Sequence, residues 1–306
     1  MGHKYPDMDC IGAAAGVCAM ARKKGAPVHI IKEAGQNPAS EMSERLGGLG
    51  EYKDVFLSQQ DAILLADANC LLVVVDTNRP EQVVSQDLLE AVHKVAVIDH
   101  HRRASSYIAD AALNFHEPYA SSASELVTEL LQYLLEPADL LKTEAEALLA
   151  GMVLDTKQFT MRTGSRTFEA AAFLRRSGAD TGDVKKLFQN DLEGTIAKYD
   201  IIQNAKMYHE GIAVAKVDHT VGRITAAQAA DELLNISGID TSFVLYPDGD
   251  RIIVSARSIG DTNVQVILEK LGGGGNAAAA GGQIQGKTLD QVAQELAQAI
   301  DQYLEE

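Results

Sequence analysis

Apolar residues along the first hundred positions come in short unbroken runs rather than in alternation. PVHIIK (27–32), CLLVVVD (70–76) and KVAVID (94–99) are rich in Val, Ile and Leu. This pattern predicts strands buried on both faces. Between and before them lie longer segments of helical character. GAAAGVCAMARKKG (12–25) joins good helix formers to Gly25, which is placed to stop the helix. Short buried strands separated by helices imply a parallel sheet covered on both sides.

From about residue 120 the period becomes helical. SASELVTELLQYLL (122–135) opens with a Ser-x-x-Glu cap from Ser122 to Glu125, and TEAEALLAGMVLD (143–155) and SRTFEAAAFLRRSG (165–178) follow it. Residues 193–208 show no strand character and read as a helical connection. Beyond them GIAVAKVD (211–218), TSFVLYP (241–247) and RIIVSAR (251–257) are strands again. ITAAQAADELLN (224–235) and LDQVAQELAQAIDQYL (289–304) are helices. The expected fold is α/β in two domains. A larger parallel-sheet domain covers 1–190, a helical linker 191–207, and a smaller mixed α/β domain 208–306.

Composition narrows this picture. A chain of 306 residues suits about two domains, and with no Trp and 5% aromatics the cores must be built from Ala, Val, Leu and Ile. The longest apolar stretch, Cys10 to Ala21, is too short to span a bilayer. Asp7 and Asp9 before it and three basic residues after it are the wrong polarity for a signal peptide. Three cysteines without a C-x-x-C pair fit a reducing compartment. A net charge of −16 argues against sequence-independent binding of long nucleic acids. A small anionic ligand remains admissible where metal ions reverse the local sign.

Candidate chemistry sits where elements end. GHKYPDMD supplies His3, Asp7 and Asp9 just before a helix. LLVVVDTNRP places Asp76, and VAVIDHH places Asp99, His100 and His101, at strand ends. GMVLDTKQF closes a helix with Asp155. Each piece alone reads as turn or capping chemistry. Together they gather carboxylates and imidazoles at the carboxyl edge of a parallel sheet, where ligand sites lie. Without cations these carboxylates would raise one another's pKa, and divalent metals relieve that cost. Mixed oxygen and imidazole ligands favour Mn²⁺, with Mg²⁺, Fe²⁺ or Co²⁺ admissible, and the lack of cysteine ligands disfavours structural zinc. Cys10 reads as a small helix residue. One further stretch stands out: ten of the thirteen residues from Leu271 to Gln283 are Gly or Ala, with Asn276 among them.

GHKYPDMD, VDTNRP, VIDHH and LDTKQF together resemble the four metal-binding motifs of the DHH phosphoesterase superfamily. The flanks EPYASSASELVTELL and LDTKQFTMRTGSRTFEAAAFLR are similar to the GdpP-type cyclic di-AMP phosphodiesterases within it. The resemblance implies two divalent metal ions. His3, Asp7 and Asp76 would hold one, and Asp9, Asp76, His100 and Asp155 the other, with Asp76 bridging. Asp99 would orient an imidazole and His101 would touch the substrate phosphate. The second half resembles the DHH-associated domain, in which Arg257 and Ser258 of SARSIG and Gly273, Gly274, Gly275 and Asn276 would bind substrate. The implied reaction is hydrolysis of cyclic di-AMP to linear pApA by a metal-activated water, in the cleft between the domains. Rival readings are a DHH nuclease acting on pApA or short oligoribonucleotides, a family II pyrophosphatase and a non-catalytic cyclic di-AMP sensor.

Two features depart from the family. Asn276 stands where the glycine motif ends in His, and Asn cannot become cationic. The first ligand is the third residue, with no strand ahead of it, which leads to the expectation that the chain is part of a longer protein. Full-length GdpP-type proteins carry membrane helices, a PAS-like domain and a degenerate GGDEF domain before this module. The expectation is therefore a membrane-anchored parent with this module in the cytoplasm and itself free of membrane contact. A homodimer is among the states the sequence admits.

Overall fold

The computed structural model describes residues 1–32, 35–103, 105–189 and 191–305. The chain divides into two compact units, Met1–Gln189 and Asn190–Glu306. Position 190, where the first domain is expected to end, lies outside the described residues.

The first unit contains, in order, α1 (Met8–Lys23), β1 (Ile30–Ile31), α2 (Ser40–Gly47), β2 (Phe56–Leu57), α3 (Gln59–Leu65), β3 (Leu71–Val75), α4 (Gln86–Ala91), β4 (Lys94–Asp99), β5 (Leu113–His116), α5 (Ala123–Leu134), α6 (Lys142–Asp155), α7 (Ser165–Arg176) and α8 (Thr181–Lys186). β3, β4 and β5 form a parallel sheet. PVHIIK, expected as a member of that sheet, supplies only Ile30 and Ile31, which pair in parallel with β2 as a separate ribbon. Met1 lies along β3: its amino group donates to Val73 O at 2.7 Å, and Val75 N donates to Met1 O at 3.0 Å. His3 bridges Val83. The extended backbone of Met1–His3 thus occupies the place where the sequence shows no strand pattern.

The main core forms where α1 is buried against α5 and α6, around Leu126, Leu148 and Met152. α1 and α6 cross without room for side chains. A Cβ on Gly12 would lie 2.5 Å from Ala147 O, and one on Gly151 would lie 2.7 Å from an Asp9 carboxylate oxygen. Close backbone approach of this kind requires glycine. It sets the start of α1 beside the end of α6.

The second unit contains α9 (Leu192–Gln203), β6 (Ala205–His209), β7 (Gly211–Lys216), α10 (Arg223–Leu233), β8 (Ile239–Asp248), β9 (Arg251–Ser258), α11 (Val264–Glu269), β10 (Gly274–Gly275), β11 (Ala279–Gln285) and α12 (Leu289–Glu305). Its six-stranded sheet runs β10-β11-β9-β8-β7-β6, with β7 and β8 parallel and the other neighbours antiparallel. α11 and α12 cover one face around Phe243, Val254 and Leu296. α9 and α10 cover part of the other around Val244, Ala229 and Ile201. The helical connection expected over 193–208 ends at Gln203, and Ala205–His209 is an exposed edge strand. The fold is the expected pairing of a parallel-sheet unit with a mixed α/β unit.

Candidate metal centre

Four chain segments meet at the carboxyl edge of the parallel sheet. Asp7 caps α1, its carboxylate accepting from Asp9 N at 2.9 Å and Cys10 N at 3.1 Å. Asp76 follows β3 with φ of +60°, a left-handed conformation rare outside Gly, Asn and Asp. His100 and His101 follow β4, and Asp155 is the last residue of α6. These elements bring the predicted residues together. His3 Nε2 lies 3.2 Å from Asp76 Oδ2 and 4.0 Å from Asp7 Oδ1. His100 Nε2 lies 3.1 Å from Asp155 Oδ2, 3.5 Å from Asp76 Oδ1 and 3.7 Å from Asp9 Oδ2. Asp76 belongs to both groups, and its Oδ1 is also 3.6 Å from His101 Nδ1.

The electrostatics follow from burial. Asp9 is fully buried, and its carboxyl is held well above the usual range by desolvation and by the charges of Asp76 and Asp155. Asp7 is raised by burial and by Asp76. Burial pushes Asp76 upward too, but contacts with His100 and His3 outweigh it and hold it at about 2. Burial lowers His100, yet Asp155 and Asp76 outweigh that and raise it to about 11. His3 is raised in the same way, against burial, by Asp76 and Asp7. In this state the imidazolium protons are the counter-charge for the carboxylates.

The donor set fits divalent cations better than protons. Asp76 Oδ1 and His100 Nε2 are buried, lie within 3.5 Å of each other, and yet make no hydrogen bond. Buried polar atoms left without partners cost free energy, and such atoms converging from several elements suit a shared ion. His3, Cys10 and Asp76 form one group with ligand atoms within 4.8 Å of one another. Asp9, His100 and Asp155 form a second, and Asp76, His100 and His101 a third. Cys10 Sγ therefore belongs to the His3–Asp76 group, although a cysteine inside an apolar helix carries no sign of this in the sequence.

Other contacts support these residues, and of them only the pairing of Asp99 with an imidazole is expected from the sequence. Asp9 is gripped by the start of α5, where Ala123 N donates to one carboxylate oxygen at 2.7 Å and Ser124 N to the other at 2.8 Å. Helix-end amides there favour the charged form. Asp99 is fully buried and holds His101 Nδ1 at 2.9 Å. The side-chain amide of Asn78 donates to the other Asp99 oxygen. The Asp99 bond raises the His101 pKa, while the ring stays half exposed.

In the second unit, Arg257 Nε donates to Asp231 at 3.3 Å. A cavity of about 570 Å³ is lined by Arg257 and Ser255 of β9, by Gly273 and Gly274, and by Arg223 of α10. Ser258 lies elsewhere: it is 5% exposed, and its hydroxyl pairs with Thr241 at 3.2 Å. The strand pleat turns Ser258 to the face opposite Arg257. Asn276 is not among the lining residues either. The glycine run is a hairpin rather than an open loop, with β10 paired to β11. Asn276 holds its turn, its side-chain oxygen accepting from Ala278 N at 3.0 Å and Ala279 N at 2.9 Å. Gly275, next to the turn, has φ of +154° and would clash with Ala280 if it carried a Cβ.

Residues 1–152 match the DHH family, N-terminal domain, and residues 209–306 match the DHHA1 domain. The chain is 43% identical over 311 residues to the cyclic-di-AMP phosphodiesterase GdpP of Geobacillus thermodenitrificans, covering 100% of this chain and 47% of that protein. It is 41% identical over 309 residues to the cyclic-di-AMP phosphodiesterase PdeA of Listeria monocytogenes, covering 99% of this chain and 47% of that protein. The chain thus spans about half the length of these curated relatives. An exopolyphosphatase-related protein from Bacteroides fragilis shares the fold, with a TM-score of 0.78 at 23% identity over 99% of this chain and 91% of that one. Among the described residues no helix is long and apolar enough to cross a membrane.

Proposed function

The chain belongs to the DHH family, and from that premise we propose that it hydrolyses cyclic di-AMP to linear pApA with two divalent metal ions, Mn²⁺ by preference. The observation that carries the reading is the convergence of His3, Asp9, Asp76, His100 and Asp155 around Asp76, whose buried Oδ1 lacks a partner, with Asp7 Oδ1 4.0 Å from His3 Nε2. Identity of 41–43% to cyclic-di-AMP phosphodiesterases along nearly the whole chain supports the substrate. His3, Asp7 and Asp76 are assigned to one ion, and Asp9, Asp76, His100 and Asp155 to the other. When bound, such a pair supplies a hydroxide-like nucleophile and charge for the phosphoryl oxygens. Asp76 faces both groups of ligands, and α5 keeps Asp9 in place through its two amide bonds. His101, held at Nδ1 by Asp99, whose hydrogen bond raises its pKa, turns its Nε2 to a phosphoryl oxygen of the substrate. Arg257, steadied by Asp231, provides a second cation for the substrate.

The test is incubation with Mn²⁺ and, separately, cyclic di-AMP, pApA or pyrophosphate, followed by chromatography of the products. The expected result is pApA from cyclic di-AMP. Absence of that product from protein carrying metal at both sites would overturn the reading, and release of phosphate from pyrophosphate would redirect it.

A further inference from the structure

Cys10 and Cys18 both lie on α1 and both are buried, but by different surroundings. Cys18, 3% exposed, belongs to the main apolar core of the first unit. Cys10, 4% exposed, belongs to none of the apolar cores formed by the described residues. A cysteine that serves only as a small hydrophobe would be expected in one of them, as Cys18 is. The Cys10 sulfur instead lies over Gly2. A Cβ on Gly2 would fall 2.0 Å from Sγ, so only glycine at position 2 leaves the sulfur its place.

In that place the sulfur meets polar groups. Cys10 Sγ, a ring nitrogen of His3 and a carboxylate oxygen of Asp76 all lie within 4.8 Å of one another. Asp7, the N-cap of α1, stands beside them with Oδ1 4.0 Å from His3 Nε2. Asp76 is 3% exposed, and its Oδ1 has no hydrogen-bond partner. A buried acceptor left open in this way points independently to a cation. The His3 side of the centre therefore offers an imidazole, two carboxylates and a thiol. The other side, with Asp9, Asp76, His100 and Asp155, offers nitrogen and oxygen alone. Donor softness separates the two: a thiolate selects Zn²⁺, and Co²⁺ over Mn²⁺, whereas carboxylates suit Mn²⁺. Four ligands of mixed nitrogen, oxygen and sulfur also match the number that Zn²⁺ takes.

We infer that Cys10 is a metal ligand, its sulfur joining His3, Asp7 and Asp76 around one of the two ions and giving that position a preference for thiophilic cations that the other lacks. On binding, the thiol releases its proton to water and the sulfur lone pair passes to the ion. This rests on the two-ion centre proposed above and makes its two positions chemically unequal. Mn²⁺ suits the nitrogen-and-oxygen position, while Zn²⁺ or Co²⁺ displaces Mn²⁺ first from the position that holds Cys10.

The experiment titrates the full chain, stripped with EDTA and kept reduced with a phosphine, with Co²⁺. A thiolate bound to Co²⁺ gives a near-ultraviolet charge-transfer band that imidazole and carboxylate ligands do not. Wild-type protein should develop this band and saturate it at one Co²⁺ per chain. Cys10→Ala and Cys10→Ser should lose the band yet keep the visible absorption of Co²⁺ on nitrogen and oxygen, which shows that the rest of the centre still folds. Cys18→Ala and Cys70→Ala should retain the band. In competition titrations, Cys10→Ala should weaken Zn²⁺ binding about 10–100-fold, no less than loss of a residue that merely orients a ligand. Mn²⁺ affinity should change much less. Wild-type protein that binds two Co²⁺ without the band, a band that persists in Cys10→Ala, or equal loss of Zn²⁺ and Mn²⁺ affinity would each overturn the inference. The band in a protein that leaves cyclic di-AMP intact would instead refute the proposed reaction and leave Cys10 as a ligand.

Discussion

Asp76 concentrates the chemistry of the first unit in one residue. Its left-handed backbone costs on the order of 1 kcal/mol, and its carboxylate stands between His3 on one side and His100 on the other. The pKa directions of the cluster make its stability depend on pH in a signed way. Asp76 is depressed to about 2, so its contribution is present above its ordinary pKa near 4 and lost as pH falls toward 2. His100 is raised to about 11, so its contribution is complete below about 6.5 and lost progressively as pH rises toward 11. His3 acts in the same sense, and the raised Asp7 and Asp9 also favour protonation. With EDTA present, Tm should therefore fall between pH 6.5 and 9. Mn²⁺ should flatten that slope, because it takes over the positive charge from the imidazole protons. A flat EDTA profile would contradict the coupling described. His3 has no patterned strand ahead of it, whereas of the proposed ligands Asp76, His100 and Asp155 were legible because each sits at or just after the end of a strongly patterned element. Asn78 was not, since an Asn two places after a strand-ending Asp reads as turn chemistry. Ser258 lies off the cavity that Arg257 lines because neighbouring strand residues face opposite ways, which SARSIG alone does not reveal.

At the scale of elements, the crossing of α1 and α6 aligns the site. It brings the start of one helix, with Asp9, beside the end of the other, with Asp155, and the contact depends on Gly12 and Gly151. A Cβ on Gly151 would come within 2.8 Å of Asp9 Cα as well as 2.7 Å of its carboxylate. Gly151→Ala should thus cost about 1–3 kcal/mol in urea unfolding and weaken Mn²⁺ binding together. Loss of stability with unchanged metal affinity would mean that the crossing does not position Asp9. Among the elements, long periodic helices such as α5 and α12 were read from sequence with little error. The failures are short or exposed strands. β6 lies on an edge with four of its five residues exposed, so burial imposed no alternation on it. β10 consists of two glycines and carries no hydrophobic signal at all.

At the scale of the whole chain, composition predicted two cores, and each unit has its own. Helix packing around α1 and the sheet core of β3 and β4 serve the first unit, while the two faces of the six-stranded sheet serve the second. Every assigned metal ligand lies between His3 and Asp155, inside Met1–Gln189. The cavity carrying Arg223 and Arg257 lies inside Asn190–Glu306. Two units with separate cores and separate ligands need not melt as one. Calorimetry should therefore resolve two transitions. Mn²⁺ should raise the one belonging to the first unit, by about 2.7 kcal/mol at a hundredfold excess over Kd. 5′-AMP in EDTA should raise the other and leave the first in place. If Mn²⁺ shifted both transitions equally, the two units would be energetically one body, and assigning the ligands to separate units would fail as an account of stability.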